Sequence, residues 1–294
     1  MPEPNLLIRE AKESATTFTN SYGDRIYIRN YQPNISSHQK VSPFNLLAIH
    51  GMGTYHGWFD ELAYQTAQIG GKLTALDLPG FGKSGIRGKL STYHSWTEAV
   101  RSSYIDLAEK APTYILGHSL GGIVALGSLS DMQVRPAGLI LSVPAIKAHQ
   151  HSYPFFEFVL PTFFKAIFSP SSKITLPFPP EFAEMIAAGT HKLDDLTREV
   201  EVSLMLETLK LSLKATSIES QKSAGFTRLL MLIAEKDQTC DWKAAERYFH
   251  GIPSPQKTLI RFEKLGHDLF ILPEAPKVNQ TIIDWIEFSQ RQEI

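Results

Sequence analysis

The chain has 294 residues, of which 43% are hydrophobic, enough to bury the core of one large domain. Its 29 basic and 30 acidic residues give a formal net charge of −1 without a block of like charge, which argues against a nucleic-acid partner. The single cysteine, Cys240, excludes an intrachain disulfide and fits a reducing compartment. Because we find neither a secretory signal nor an apolar run long enough to span a bilayer, we expect a cytoplasmic protein.

The first predicted elements are two strands, at residues 16–21 and 25–32, joined by a Tyr-Gly-Asp turn. Both alternate apolar and polar residues, as the strands of a half-exposed antiparallel hairpin do. Residues 1–14 are polar, and we expect them to fray or to lie on the surface.

A different pattern begins after this hairpin, with short, continuous apolar runs separated by amphipathic segments of helical length. The apolar runs are residues 44–49, 72–78, 113–116 and 137–143. The amphipathic segments are residues 57–69, 93–110 and 119–130. Buried strands that alternate with helices predict a parallel sheet covered by helices on both faces.

Residues 145–222 interrupt this alternation, because they are helical in character and broken by several prolines. The alternation then resumes with strands at residues 229–234 and 257–262, each followed by a helix, at residues 241–250 and 276–290. The chain therefore predicts an α/β core domain of residues 1–144 and 223–294, with a mostly parallel eight-stranded sheet. Residues 145–222 would form an inserted helical cap.

A Gly-x-Ser-x-Gly motif at residues 117–121 lies between a predicted buried strand and a predicted helix. The sharp turn from strand to helix strains the serine backbone, and the flanking glycines leave room for it. The hydroxyl of Ser119 would project at the carboxyl edge of the sheet, beside a helix N-terminus that favours developing negative charge. Without this setting, the motif would be read as a turn that caps a helix. In this setting, it predicts Ser119 as a nucleophile.

A serine hydroxyl needs a base that takes its proton, and His267 is the best candidate. It follows the strand at residues 257–262 and should therefore reach the same edge of the sheet. His118 is adjacent to Ser119 in sequence, but the turn would aim it elsewhere.

The base in turn needs a carboxylate that fixes its tautomer and stabilises its charged form. Asp237 follows the strand at residues 229–234, and the order Ser119, Asp237, His267 is the order expected for this fold. Asp241 and Glu235 are rival candidates, and we expect Asp241 to cap the next helix instead.

Acyl transfer passes through an oxyanion, which requires preorganised hydrogen-bond donors. We predict the backbone N–H of Leu120, directly after the nucleophile, as one donor. The loop at residues 50–53, which follows a buried strand, should supply the other through the N–H of Met52.

Two other patterns do not indicate a cofactor. Residues 80–85 fit Gly-x-Gly-x-x-Gly, but the following residues do not open a helix, so the context for dinucleotide binding is missing. His149 and His151 lack a carboxylate or a third ligand placed with them. We therefore expect neither a metal nor an organic cofactor.

These motifs together resemble those of the α/β-hydrolases over about residues 20–290, most closely the monoacylglycerol lipase and lysophospholipase branch. The motifs are His-Gly-Met-Gly at residues 50–53, Asp-Leu-Pro-Gly-Phe-Gly-Lys-Ser at 77–84, the serine motif, Asp-Gln-Thr-Cys-Asp at 237–241 and Gly-His-Asp at 266–268. The resemblance implies a triad of Ser119, Asp237 and His267, oxyanion donors at Met52 and Leu120, and a cap over the site.

The likeness to this branch has two departures. Leu120 stands where the branch often has methionine, and Phe81 stands where it often has histidine between two glycines. The second form is shared with esterases, C–C hydrolases and proline iminopeptidases. The expected reaction is cleavage of a monoacylglycerol- or lysophospholipid-like ester through an acyl-enzyme. The alternatives are an amidase or aminopeptidase, a C–C hydrolase, a thioesterase or a non-catalytic small-molecule receptor.

Aromatic residues are concentrated in the first part of the predicted cap. We predict four of them as substrate-binding residues: Phe155, Phe156, Phe163 and Phe164. They could form an apolar tunnel or a rim that makes transient contact with a membrane, or they could pack the cap onto the core. The sequence carries no signal that sets the oligomeric state.

Overall fold

An eight-stranded sheet runs through the part of the chain that the computed structural model describes, residues 11–33, 43–149, 160–176, 193–225 and 227–292. The strand order is β1-β2-β4-β3-β5-β6-β9-β10, and every pair from β4 to β10 is parallel. The strands of this sheet are β1 (Ala11–Thr19), β2 (Arg25–Pro33), β3 (Asn45–Ile49), β4 (Lys72–Leu76), β5 (Thr113–His118), β6 (Gly138–Ser142), β9 (Leu229–Ala234) and β10 (Lys257–Phe262). The predicted mostly parallel sheet is therefore confirmed.

The antiparallel hairpin at one edge begins earlier than the sequence predicts. β1 starts at Ala11, whereas we expected a strand only from residue 16. Residues 11–15 pair in register with residues 29–33 of β2. β1 is an exposed edge strand, held by backbone pairing and by an ion pair between Glu13 and Arg29. Because few of its side chains are buried, its sequence does not alternate clearly between apolar and polar residues.

Successive residues of the central strands point to opposite faces of the sheet, and both sets are apolar. Helices therefore cover both faces. Leu47 and Ile49 belong to one apolar cluster and Leu46 and Ala48 to the other. Helices α2 (Tyr93–Ala108), α3 (Leu120–Leu129) and α7 (Trp242–Gly251) contribute to the first cluster. Helices α1 (Asp60–Gln68) and α8 (Ala275–Arg291) contribute to the second.

Between β6 and β9 the chain forms helices α4 (Leu160–Phe168), α5 (Val202–Ala215) and α6 (Ile218–Ala224). It also forms two short antiparallel strands, β7 (Lys173–Thr175) and β8 (Glu199–Glu201). The segment predicted to be helical in character therefore also contains a short two-stranded sheet. Strands of this length are too short to show an alternating pattern. None of the described helices is long and apolar enough to cross a membrane.

Helix α3 packs very closely against the end of β3. An added Cβ at Gly121 would lie 2.1 Å from the carbonyl oxygen of Ile49 and 2.8 Å from that of His50. Both neighbours are backbone atoms, which cannot rotate away. Glycine at position 121 therefore sets how closely the helix approaches the sheet.

We expect Gly121→Ala to lower the free energy of unfolding by about 3 kcal/mol, because the methyl group would force α3 away from β3. Urea unfolding followed by circular dichroism measures this change. Gly127→Ala on the same helix is the matched control, since its methyl group would meet the end of the Leu211 side chain, 2.6 Å away, which can rotate. The control should change stability by less than about 1 kcal/mol. Equal losses in the two variants would contradict this account.

Candidate active site

Ser119 forms the sharp turn between β5 and α3. Its backbone has φ 54° and ψ −116°, a conformation that is costly for a residue with a side chain. The Ser119 N–H donates to the carbonyl of Ser142 at 2.9 Å, and its own carbonyl accepts from Gly122 and Ala145 at 3.0 Å each. Hydrogen bonds on both sides of the residue therefore maintain the strained turn that the sequence predicts.

The structure brings Ser119, His267 and Asp237 into one hydrogen-bonded chain. His267 Nε2 lies 2.9 Å from Ser119 Oγ, and His267 Nδ1 lies 2.7 Å from Asp237 Oδ2. All three residues are buried, with 4–7% of their surface exposed. An imidazole that donates from Nδ1 to a carboxylate has Nε2 free to accept the serine proton.

The carboxylate of Asp237 is fixed by its own loop. Its Oδ1 accepts hydrogen bonds from the backbone N–H groups of Thr239 at 2.7 Å and Cys240 at 2.8 Å. These bonds leave Oδ2 for His267. The rival Asp241 instead caps α7, accepting from the N–H of Ala244 at 3.1 Å, as predicted.

The loop at residues 50–53 lies directly beside Ser119. A Cβ at Gly51 would lie only 3.2 Å from the Cβ of Ser119. The N–H groups of Met52, in this loop, and Leu120, at the start of α3, donate to no acceptor within the described part of the chain. Among the described residues, these two backbone donors in the segments that meet at Ser119 thus have no partner.

His50 braces this loop, a role that the sequence reasoning did not assign to it. The N–H of Leu78 donates to Nε2 of the fully buried ring at 3.0 Å, so Nδ1 carries the proton and donates to the carbonyl of Gly51 at 2.7 Å. Burial lowers the pKa of His50, which favours this neutral form. The signal in the sequence was a histidine placed before glycine at the end of a buried strand.

A second buried pair, His56 and Asp77, closes the turn that contains the Gly-x-Gly-x-x-Gly pattern. Asp77 accepts hydrogen bonds from the N–H of His56 at 2.6 Å and of Lys83 at 2.9 Å, and the His56 ring lies 3.0 Å away. Burial alone would raise the pKa of Asp77, but the bond to His56 and its charge hold the pKa below its ordinary value. The pattern forms a braced turn, and no helix begins there.

Asp237, Cys240 and His267 are the one group among the described residues whose donor atoms could meet at a metal ion, lying within 4.8 Å of one another. Asp237 and His267 are already bonded to each other. Burial and the charge of Asp237 raise the pKa of the Cys240 thiol well above its ordinary value, which favours the protonated thiol when no ion is bound.

The predicted substrate-binding phenylalanines are only partly described. Phe164 lies on α4 and is 52% exposed. Phe163 belongs to the same helix, but its side chain, like Phe155 and Phe156, lies outside the description.

Comparisons with known proteins find hydrolases that are similar to this chain. The family model described as "Serine aminopeptidase, S33" matches residues 44–274. Phospholipase YtpA of Bacillus subtilis (strain 168) is 27% identical over 79% of this chain and 91% of the relative. Monoglyceride lipase of Homo sapiens is 24% identical over 92% of this chain and 89% of the relative.

Solved structures with the same fold include a soluble variant of monoglyceride lipase from Saccharomyces cerevisiae, in complex with a substrate analog. It matches with a TM-score of 0.81 over 95% of this chain and 96% of that chain, at 17% identity. A monoacylglycerol lipase from Paleococcus ferrophilus matches with a TM-score of 0.72 over 95% of this chain and 99% of that chain, at 18% identity. At such identities, the likeness shows a common fold.

Proposed function

Because the chain belongs to the serine aminopeptidase S33 family and has the α/β-hydrolase fold, we propose that it cleaves esters that carry one long acyl chain. It is an ester-hydrolysing enzyme of the lipase and esterase type, and the proposed substrates are monoacylglycerols and lysophospholipids. The observation that carries the mechanism is the hydrogen-bonded chain from Ser119 through His267 to Asp237.

In the proposed mechanism, Ser119 Oγ attacks the ester carbonyl and its proton passes to His267 Nε2. Asp237, bonded to Nδ1, stabilises the resulting imidazolium. The N–H groups of Met52 and Leu120 donate to the tetrahedral oxyanion. The bond to the alcohol then breaks, the alcohol takes the proton from His267, and an acyl-enzyme remains. Water repeats the same steps and releases the carboxylic acid.

We assign residues 145–222 to a cap that selects the substrate. Support comes from the place of this segment, between β6, which ends just before the cap, and β9, which follows it in the sheet. The N–H of Thr197, within this segment, donates to the carbonyl of Gly53 at 2.9 Å, which ties the segment to the loop beside Ser119. A segment so placed can contact an acyl chain that enters the site.

A second candidate function is peptide hydrolysis, because the matching family is described as a serine aminopeptidase. The same nucleophile and base would serve, with an amine in place of the alcohol as leaving group. The names of the relatives, a phospholipase and monoglyceride lipases, favour the ester.

We expect Ser119→Ala to abolish turnover of p-nitrophenyl esters and labelling by a fluorophosphonate probe, because both need the serine hydroxyl. The loss should be at least about a thousandfold, because the residues of a triad act as a unit and the loss of one removes the effect of all three. Ser130→Ala is the control, since Ser130 caps the other end of α3 and is partly exposed. Comparable activity in Ser119→Ala and the wild type would sink the proposal.

We expect kcat/KM to rise along a series of monoacylglycerols and lysophosphatidylcholines as the acyl chain lengthens. Each buried methylene group contributes up to about 0.8 kcal/mol, or roughly fourfold, until the apolar site is filled. Release of fatty acid is the measurement, and aminoacyl p-nitroanilides are the comparison. Faster turnover of the anilides than of every ester would replace the ester proposal with the peptidase.

We also propose that an apolar face of the cap contacts the lipid surface that holds the substrate. On α4, Phe164, Ile167 and Phe168 share one side of the helix and are 52%, 57% and 77% exposed. Leu209 and Leu213, on the adjoining α5, are 57% and 67% exposed. We call these five residues the apolar cap face. Exposed apolar clusters of this kind commonly bind lipid or protein, and the exposed Lys165, which follows Phe164 on α4 and flanks this face, would favour anionic lipid.

We expect Phe168→Asp to reduce binding to vesicles of phosphatidylcholine and phosphatidylglycerol by about tenfold, because one aromatic side chain is lost from the apolar contact and a negative charge is added. Vesicle sedimentation measures the binding. Hydrolysis of soluble p-nitrophenyl acetate should be unaffected. Phe288→Asp is the matched control, since Phe288 is 57% exposed on α8, outside the cap. The surface assignment is wrong if both variants bind vesicles as the wild type does.

A further inference from the structure

A second buried histidine and carboxylate lie directly behind Ser119 and His267. His118 precedes Ser119 in the sequence, and Asp268 follows His267. His118 Nε2 lies 4.0 Å from Asp268 Oδ1, and the two side chains are 1% and 6% exposed. The segment that carries the serine and the segment that carries the base are therefore close to each other at two successive positions.

The ring of His118 is surrounded by the end of β6 and by the turn at residues 267–270. Its Nδ1 lies 3.3 Å from Ser142 Oγ. Its centroid lies 5.2 Å from the ring of His267 and 5.4 Å from the ring of Phe270, which meets it edge-on. One ring thus contacts the base itself and two other side chains of the turn that carries it.

The ring of His118 is neutral at neutral pH. Burial lowers its pKa well below the ordinary value, and the charges of His267 and His50 act in the same direction. The titratable groups that face it are His267 and Asp268 from the turn after β10, and His50 from the loop after β3. A neutral ring adds no positive charge beside His267, so His267 can take up a proton from Ser119.

We propose that His118 and Asp268 are positioning residues that hold His267 Nε2 within hydrogen-bond reach of Ser119 Oγ. This inference rests on the proposed roles of Ser119 and His267. A displacement of about 1 Å between reacting groups can lower a rate by about a hundredfold, so a contact that fixes the turn acts on kcat. Both residues act through the position of His267, so kcat should depend on them more strongly than KM does.

The test compares Asp268→Asn, His118→Gln and the double variant with the wild type on a soluble p-nitrophenyl ester. Each single variant should lower kcat by about tenfold or more while KM stays within about twofold. The double variant should lose less activity than the product of the two single losses predicts, because the two residues share one contact. In Asp268→Asn, the ascending limb of the pH profile of kcat/KM should also move to lower pH, since a negative charge beside the imidazolium is removed.

His56→Gln is the matched control for loss of a buried histidine and carboxylate pair. His56 lies 3.0 Å from Asp77, and the two side chains are 5% and 0% exposed. Neither residue is adjacent in sequence to Ser119 or His267. The control should lower the melting temperature but keep the pH profile. Fluorophosphonate titration counts the reactive enzyme in each preparation, so that kcat refers to folded protein only.

Two results would overturn the inference. One is a kcat per titrated site equal to that of the wild type in both single variants. The other is a loss of kcat with the pH profile of Asp268→Asn unchanged, as in His56→Gln, which would make the pair merely structural. Failure of the roles proposed for Ser119 and His267 looks different, because the wild type would then not react with the probe at all. A wild type that reacts with the probe but prefers anilides to esters changes the proposed substrate and leaves this inference standing.

Discussion

The arrangement at Ser119 depends on the close approach of helix α3 to the end of strand β3. The absence of a side chain at Gly121 allows this approach, and the strained turn of Ser119 follows from it. The same packing brings the loop at residues 50–53 against the serine. Strain in the backbone of one residue is thus balanced by contacts distributed over three elements, which is how folded proteins retain costly backbone conformations.

Two buried, neutral imidazoles also support the site. His50 fixes the loop beside the serine, and His118 packs against His267. Burial lowers the pKa of both rings. In a water-poor environment, additional positive charges would oppose proton uptake by His267. The surroundings of the proposed base therefore supply contact and hydrogen bonding with little positive charge, while the negative charge comes from Asp237.

The sequence was most informative where one constraint dominates. Strands buried on both faces leave continuous apolar runs, so β3, β5 and β9 were predicted closely, β9 to the residue. β10, which is partly exposed, was also predicted to the residue. The strand-to-helix setting of the serine motif likewise indicated Ser119. The first five residues of the edge strand β1 and the short strands β7 and β8 were missed, because backbone pairing holds them and burial imposes no pattern. The contacts of His50 and His118 were missed because they depend on side-chain packing across elements far apart in sequence.

The position of β10 has a consequence for how this site is assembled. β10 is the last strand of the sheet along the chain and lies at its edge, partly exposed, whereas β5 is central and buried. His267 follows β10 and must find Ser119 across 148 residues of sequence. Contacts between distant segments form late in folding, and edge elements open most readily in the native state. The proton transfer proposed at Ser119 therefore requires the last strand to be docked, and collapse of the central strands alone does not complete the site.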